Sequence, residues 1–336
     1  MRYHKLGSSE IEASVLALGT WVTGGGVIWG AKPDDSESVR VIQEALDSGI
    51  NFVDTAPAYG FGHSEEVVGK AIAGRRDKVI VATKCGLWWH DNRGSDNGVF
   101  DGRAWRKSLR PDTIRIEIED SLRRLKTDYI DLYQTHWPAV EPEKTPIADT
   151  MECLVDLQKQ GKIRCIGACN LSMPEIQEYG EYAPLVSHQL RYSMLWRGAE
   201  AQMLPCCEEN NIATLTYMSL EQGLLTGKIR MDRVFKSEEF RSVESWNPWM
   251  PPKNRQRVLN LLDGWSDLLD KYGCTQAQLT VAWTLAQRGV THLLAGARTL
   301  PQLRENLKGA DLVLEPGDLA RMRRDIEALG EPEPGE

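Results

Sequence analysis

The sequence lacks any long hydrophobic run. No apolar stretch in its 336 residues approaches the roughly 18 residues that a membrane-spanning helix requires. Residues 1–7 also lack the apolar core that characterises a secretion signal. We therefore expect a cytoplasmic protein that does not associate with a membrane.

Positive charge is also in deficit. The chain has 40 Lys and Arg residues against 48 Asp and Glu residues, which gives a formal net charge of −8 at pH 7. A net negative charge opposes general attraction to nucleic acids and to anionic lipids. We accordingly predict no nucleic-acid partner, while the composition leaves the oligomeric state open.

Patterns of disulfide-forming and metal-binding residues are missing too. The seven cysteines are odd in number and include no Cys-x-x-Cys pair, so we expect reduced thiols. The six histidines are scattered, and no group of His and Cys residues has the spacing of metal ligands. We predict no metal site.

The sequence does contain a regular alternation of short apolar runs and amphipathic helical stretches. This alternation is typical of β-α-β units around a buried parallel sheet. Among the helices, Ile114, Ile118 and Leu122 form one apolar face behind Pro111, and Ser64 is predicted to cap another helix. Eight runs are predicted as strands, at residues 15–18, 51–54, 78–83, 130–134, 163–167, 185–188, 212–215 and 292–295.

Eight strands with intervening helices favour a closed (β/α)8 barrel of the TIM type. The rival, an open doubly wound sheet, usually carries a Gly-x-Gly-x-x-Gly loop after its first strand, whereas here residues 24–26 are a plain Gly triplet. The connections 85–110 and 228–253 are long and would overhang the carboxyl-terminal face, where barrel active sites form. We predict a single domain over residues 1–336 with a flexible tail at 330–336.

Four polar side chains lie at or just after successive predicted strands: Asp54, Tyr59, Lys84 and His136. The ends of neighbouring parallel strands lie side by side, so we expect these four to converge on one pocket. A buried carboxylate would hold the ammonium, and the ammonium would lower the pKa of the phenol. This combination suits proton delivery to a carbonyl oxygen, which His136 would orient with a hydrogen bond.

The same residues stand in motifs that resemble a known family. The segments DTAPAYG at 54–60 and GHSEE at 62–66 resemble the first signature of the aldo-keto reductases. ATK at 82–84 and DLYQTHWP at 131–138 resemble the next two. By this resemblance Tyr59 is the general acid and base, Lys84 and Asp54 tune it, and His136 orients the carbonyl.

The resemblance also implies NADP(H) as the cofactor. Asn170, in GACN at 167–170, and Gln189 would hold the nicotinamide carboxamide, since an amide side chain both donates and accepts hydrogen bonds. Tyr217 matches the aromatic residue that stacks on the nicotinamide ring. Further contacts at this end of the cofactor are expected from Thr20, Trp21 and Leu220.

At the other end of the cofactor, GARTLPQLREN at 296–306 resembles the segment that binds the adenosine 2′-phosphate. Arg298 is the candidate for the phosphate because its guanidinium would lie beside a helix amino terminus. Gly296 belongs to the same segment, and Gln302 and Asn306 would face the adenine. Thr299 and Gln302 also fit a capping-box pattern, so Gln302 has a structural role as its alternative.

Tryptophans are numerous in the predicted loops on the active face. Trp21, Trp88, Trp89 and Trp137 are candidates for an apolar wall that contacts the substrate. We expect an aldehyde, ketone or alcohol, with sugar-like molecules among the candidates. For Trp88 and Trp89, packing of the long loop itself is an equal alternative.

Two other functions stay open from the residues alone. Lys84 could act as a Schiff-base nucleophile in a lyase, although Arg298 and the amide pair would then have no task. Some relatives of the aldo-keto reductases are non-enzymatic cofactor-binding subunits, and the four polar residues do not exclude that role. We predict an NADP(H)-dependent oxidoreductase.

Overall fold

Eight parallel strands close into a barrel in the computed structural model, which describes residues 1–25, 29, 34–100, 102–236 and 239–334. Gly26 of the Gly triplet and the last two residues of the predicted tail lie outside this range. In chain order the strands are β1 (Tyr3–Lys5), β2 (Glu12–Ser14), β3 (Leu16–Gly19), β4 (Phe52–Asp54), β5 (Ile80–Cys85), β6 (Leu87–Trp88), β7 (Ser95–Phe100), β8 (Arg103–Lys107), β9 (Ile130–Thr135), β10 (Ile163–Cys169), β11 (Ser187–Arg191), β12 (Ala213–Tyr217) and β13 (His292–Gly296).

The barrel follows the order β3-β4-β5-β9-β10-β11-β12-β13, and β13 pairs with β3 to close it. Each of the eight apolar runs corresponds to one barrel strand, so the predicted (β/α)8 barrel is confirmed. Most strands end one to three residues later than the apolar runs do. The strand pairing continues past the apolar runs because polar residues, such as Lys84 in β5 and Gln189 in β11, are still paired with the neighbouring strand.

Helices surround the barrel, and several of them bury an apolar face against its strands. The helices at 252–263, 266–272 and 316–329 pack in a second apolar cluster. The helix behind Pro111 is confirmed, and Ile114, Ile118 and Leu122 are on its buried side. The α-helices are α1 (Asp35–Asp47), α2 (His63–Ala71), α3 (Pro111–Leu125), α4 (Ile147–Lys159), α5 (Met173–Tyr182), α6 (Met203–Glu209), α7 (Pro252–Asp263), α8 (Ser266–Tyr272), α9 (Gln276–Leu285), α10 (Leu300–Asp311) and α11 (Pro316–Leu329).

The predicted cap of α2 is wrong. Gly62, with φ 92°, is the N-cap residue, and Ser64 lies inside the helix. The Ser64 hydroxyl donates to the Thr20 carbonyl at 3.0 Å and is therefore used across elements. Glu65 is buried and accepts from Thr83 Oγ1 and Arg124 Nε, each at 2.6 Å, so it joins α2 to β5 and α3.

The barrel interior is packed with small and medium apolar side chains such as Ala17, Ala82 and Leu132. The hairpin of β1 and β2 contributes Leu6 and Ala13 to the same cluster, and neither side chain is exposed. Gly7, in the turn of this hairpin, lies against the backbone of Val186 and Ala213 at the starts of β11 and β12, so the hairpin covers the amino-terminal end of the barrel. Ligands consequently have access at the carboxyl-terminal end.

Both long connections do follow carboxyl ends of barrel strands. The first, 85–110, carries β6, β7 and β8 as a small antiparallel sheet in the order β6-β8-β7. The second, 228–253, contains a 3₁₀ helix at Phe240–Ser242. Within the described residues, no helix has the length and apolar character needed to cross a membrane.

The flexibility of the tail stays a prediction. Asn254 Nδ2 donates to the Glu333 carbonyl at 2.8 Å, and the Glu333 amide donates back to Asn254 Oδ1 at 2.9 Å. These two bonds join the described part of the tail to α7.

Candidate active site

Lys84 is the centre of the polar cluster at the carboxyl ends of the strands. Its ammonium contacts Asp54 Oδ1 at 2.7 Å, the Thr55 carbonyl at 2.9 Å and the Tyr59 hydroxyl at 3.0 Å. The lysine side chain has 0% of its surface exposed, so the ammonium is held entirely by these partners. The predicted convergence of Asp54, Lys84 and Tyr59 is thus present in the structure.

The second oxygen of Asp54 is held by two amides. Gln134 Nε2 donates to Asp54 Oδ2 at 3.2 Å, and Gln189 Nε2 donates to it at 2.9 Å. Gln134 is fully buried and was not among the predicted site residues. Gln134 is two residues after Leu132 on β9, so both side chains face the barrel interior. A polar residue at an inward position of a strand is the feature of the sequence that could have identified Gln134 as a site residue.

Two glycines fix the loop that carries Tyr59. A Cβ atom on Gly24 would lie 2.5 Å from the Tyr59 carbonyl carbon, and one on Gly60 would lie 2.1 Å from the Gly24 carbonyl oxygen. Gly60 also has a positive φ of 69°. The backbones therefore approach more closely than any side chain would allow, which gives Gly24 a packing role.

The pKa of Tyr59 is raised to about 12, mainly because the phenol is buried, and Asp54 adds to this rise. Lys84 opposes the rise but does not cancel it. Lys84 does lower the phenol pKa, as expected, but desolvation of the buried phenol outweighs this effect. Tyr59 is consequently a fully protonated donor at neutral pH. Burial lowers the pKa of Lys84, but Asp54 and Tyr59 more than compensate, so the net shift is upward.

His136 lies next to the phenol. Its ring centroid is 5.9 Å from that of Tyr59, with the ring planes at 81°. Its backbone amide donates to the Cys85 carbonyl at 2.8 Å, which fixes the start of the loop. Burial, reinforced by the positive charge of Lys84, holds the pKa of His136 well below its ordinary value. The neutral imidazole can donate one N–H hydrogen bond without taking the proton from Tyr59.

The Thr20 hydroxyl is used inside the protein. It donates to the Asp54 carbonyl at 2.9 Å and contacts Ser64 Oγ at 2.8 Å, with 1% of the residue exposed. This position counts against the predicted contact between Thr20 and the cofactor, because the side chain has no free surface. Thr20 instead holds the backbone of Asp54 in place.

Asn170 and Tyr217 form the next part of the site. Asn170 has φ 60°, donates from Nδ2 to the His136 carbonyl at 3.1 Å, and accepts the Tyr217 hydroxyl at 2.8 Å. This pair, with Gln189, lies directly beside His136 and the Asp54 carboxylate. A planar primary amide can be held here between amide side chains and an aromatic ring, as predicted for the nicotinamide carboxamide.

A turn after β12 was missed by sequence reasoning. Met218, Glu221, Gln222 and Gly223 all have positive φ, between 43° and 99°. Successive residues of this kind turn backbone N–H groups to one side and form anion-binding concavities. The buried amide atoms of Gln222 have no hydrogen-bond partner among the residues that the structure describes, so this turn also offers polar groups to a ligand. Leu220, a predicted contact, is part of the same turn.

Arg298 precedes α10 at the end of β13. One of its terminal nitrogens donates to the Trp29 carbonyl. Burial lowers the pKa of the Arg298 guanidinium, the nearby Arg241 lowers it further, and Glu239 opposes this effect. Arg241 is also paired with Glu239. Arg298 thus has a second cation and one carboxylate beside it.

The other residues of the 296–306 segment have internal partners. Gln302 is exposed, and its Oε1 accepts from the Arg298 amide at 2.8 Å, which supports its structural alternative at the start of α10. Asn306 is 4% exposed and donates to the Gly296 carbonyl at 3.3 Å, which counts against a direct contact with adenine. Gly296 itself is exposed at the strand end.

Three of the four predicted wall tryptophans surround the site. Trp21 stacks on Tyr59 with ring centroids 6.0 Å apart, and Trp137 directly follows His136. Trp89 packs edge-on against Phe61 at 5.4 Å. Trp88 is 1% exposed and donates to Asp91 at 2.8 Å, so its predicted substrate contact is not supported.

A model of the Aldo/keto reductase family matches residues 15–327. The chain belongs to the aldo-keto reductase family. The NADH-specific methylglyoxal reductase of Escherichia coli (strain K12) is 41% identical over 330 residues, which cover 98% of this chain and 99% of that protein. Aldo-keto reductase YhdN of Bacillus subtilis (strain 168) is 41% identical over 307 residues, covering 90% and 87%. A solved glycerol dehydrogenase from Gluconobacter oxydans shares 37% identity with a TM-score of 0.86, covering 99% of this chain and 97% of that one.

Family membership makes the protein an oxidoreductase that uses a nicotinamide cofactor. The geometry of Lys84 argues against the lyase alternative. A Schiff-base nucleophile must be a neutral amine, whereas Lys84 is buried in three contacts with a raised pKa. The geometry therefore favours a charged lysine that acts through Tyr59.

Proposed function

We propose that this oxidoreductase reduces the carbonyl group of small aldehydes and ketones with NADP(H), with Tyr59 as the proton donor. The contact that supports this is the Lys84 ammonium, which bridges Asp54 Oδ1 at 2.7 Å and the Tyr59 hydroxyl at 3.0 Å. A phenol that is protonated at neutral pH and lies beside a fixed cation is suited to give a proton to an alkoxide.

When bound, the nicotinamide supplies a hydride to the carbonyl carbon, and a proton must then reach the carbonyl oxygen. His136 orients that oxygen through one N–H, since its low pKa keeps the imidazole neutral. Tyr59 transfers its hydroxyl proton to the oxygen and becomes a phenolate. Lys84 stabilises this phenolate, and Asp54 keeps Lys84 charged and in place. In alcohol oxidation the same groups work in reverse.

The choice of NADP(H) rests on Arg298 with Arg241 beside it. Two guanidinium groups near a helix amino terminus suit a phosphate monoester. A specific observation favours NADH as the second candidate: Glu239 is close to Arg298 and would repel a 2′-phosphate. The relative named as an NADH-specific methylglyoxal reductase points the same way.

A single substitution tests the proposed proton donor. Tyr59→Phe removes the hydroxyl and keeps the ring that stacks on Trp21, so cofactor binding should persist. We expect kcat for aldehyde reduction to fall by about 10²–10⁴-fold, the usual contribution of a general acid. Cofactor titration by tryptophan fluorescence beside steady-state assays of an active aldehyde measures both effects.

Tyr182→Phe, at an exposed tyrosine on α5, is the matched control and should leave kcat unchanged. If Tyr59→Phe keeps more than about a tenth of the wild-type kcat while chemistry limits the rate, the proton donor is wrong and His136 becomes the next candidate. A wild-type protein that binds cofactor tightly but turns over no carbonyl would favour the alternative of a cofactor-binding subunit.

A further inference from the structure

Lys107 is an unusual lysine among those that the structure describes. Among them Lys84 is buried and Lys107 and Lys162 are partly buried, whereas the others are exposed. Lys84 is paired with Asp54 and Lys162 with Glu119, whereas Lys107 has no carboxylate partner and donates no hydrogen bond in the described part of the chain. Burial alone lowers its pKa. A partly buried ammonium without an anion is costly unless a ligand supplies one.

The strand β8 holds Lys107 in a defined place. Lys107 is paired with Leu87 on one side and Ser95 on the other, so its backbone lies in the middle of the small sheet. Within the described residues Glu143 forms no ion pair with Lys107, and its carboxylate accepts from the Gly94 amide at 2.9 Å. The lysine position is therefore set by the sheet.

Lys107 faces the catalytic side of this sheet. Trp105 and Lys107 are two residues apart on β8 and share one face. Trp105 packs in the apolar cluster against which Tyr59 and Trp137 also pack. The Lys107 ammonium lies 4.9 Å from the centroid of the Trp137 ring, and Trp137 directly follows His136.

We propose that Lys107 and Trp137 form a carboxylate-binding subsite at the edge of the active site. The preferred substrates are then aldehydes or ketones that also carry a carboxylate. The ammonium has three donors for the carboxylate oxygens, and the indole contacts the apolar part of the molecule. This inference rests on the proposed function, since it needs a carbonyl that is reduced at Tyr59.

The test compares 4-carboxybenzaldehyde with its neutral methyl ester in the wild type and in Lys107→Met. Each aldehyde is compared with itself, so differences in intrinsic reactivity cancel. We expect kcat/KM for the carboxylated aldehyde to fall by about tenfold or more, the value of a charge-assisted contact. The ester should react as before, Lys107→Arg should restore the preference, and about 0.5 M salt should weaken it.

Lys144→Met, at an exposed lysine, is the matched control and should change neither substrate. Equal losses on both aldehydes would show that Lys107 only packs against Trp137, and unchanged kinetics on both would show that no carboxylate binds there. Either result overturns the subsite while leaving carbonyl reduction intact. A wild type that reduces neither aldehyde would overturn the proposed function and this inference together.

Discussion

The carboxylate of Asp54 has a partner on each oxygen, Lys84 on one side and the two amides of Gln134 and Gln189 on the other. An ion pair buried this deeply is stable only when its remaining lone pairs are satisfied. Gln134 supplies one of these hydrogen bonds, and among the predicted cofactor residues it bonds only to Gln189, whose Nε2 donates to Gln134 Oε1 at 3.4 Å, within the described residues. We therefore assign it a positioning role that acts through Asp54 and Lys84 on the phenol.

Gln134→Leu should lower kcat about tenfold and leave the dissociation constant of the cofactor nearly unchanged, because one buried hydrogen bond to a charged group is lost. Gln189→Leu should change both quantities, since Gln189 also faces the proposed carboxamide site. Steady-state kinetics and cofactor titration separate the two variants. A weaker cofactor affinity in Gln134→Leu would contradict the assignment.

The four catalytic candidates were predictable because each stands in a recognisable motif at a strand end. The residues that were misplaced fail for a common reason. Trp88 and Thr20 lie beside the predicted contacts Trp89 and Trp21, but their own side chains are buried in the protein. Which neighbour faces the pocket depends on packing that the sequence does not display. The turn at Gln222 was missed because its positive φ values occur mostly at residues other than glycine.

At the scale of elements, α3 supports the strand that carries Lys84. Glu117 of α3 is 3% exposed, and its two oxygens accept the Gly86 amide at 3.2 and 2.9 Å. Burial raises the pKa of Glu117 to about 8, although the bond from Gly86 lowers it. The carboxyl group is thus protonated in the folded protein at neutral pH.

This raised pKa predicts a stability that depends on pH. Between the ordinary value of 4.5 and about 8, the folded protein binds one proton that the unfolded chain has released. The free energy of unfolding should therefore fall as pH rises, by about 1 kcal/mol per pH unit for this group. Glu117→Gln should remove this slope and be the more stable protein at pH about 8.

Urea denaturation of both proteins across this pH range measures the effect. Glu119→Gln changes an exposed carboxylate on the same helix and should keep the wild-type slope. Parallel pH profiles for wild type and Glu117→Gln would contradict the raised pKa.

Element types were more predictable than element ends. The apolar runs marked all eight barrel strands because a buried parallel strand needs apolar side chains on both faces. Most strands extend one to three residues beyond the apolar runs, because polar side chains that face the pocket occupy their last positions. The cap of α2 was misassigned because Ser64 bonds to Thr20, a partner 44 residues away that local patterns do not reveal.

At the scale of the whole molecule, one segment of the 228–253 connection lies beside residues from distant parts of the chain. Phe240 packs against Trp21 at 5.4 Å, while its neighbours Glu239 and Arg241 lie near Arg298. One short turn of the 228–253 connection thus lies beside both Trp21, which stacks on Tyr59, and the proposed phosphate site. We therefore expect this turn to influence the choice of cofactor.

Arg298→Met should weaken NADPH binding by about tenfold to a hundredfold and spare NADH, because only the former has the 2′-phosphate. Glu239→Gln should shift preference toward NADPH. Dissociation constants for both cofactors test this, with Arg304→Met, at an exposed arginine on α10, as the control. If Arg298→Met weakens both cofactors equally, the phosphate assignment is wrong.

The hairpin of β1 and β2 covers the amino-terminal end of the packed barrel, so the described barrel is open to ligands at its carboxyl-terminal end. Substrate, product and cofactor must all pass the same rim, which the 85–110 and 228–253 connections border. We therefore expect release to be ordered, so that a molecule seated deeper leaves after one seated above it. Substitutions in these two connections should then change the turnover rate, although the connections take no part in the proposed proton transfer.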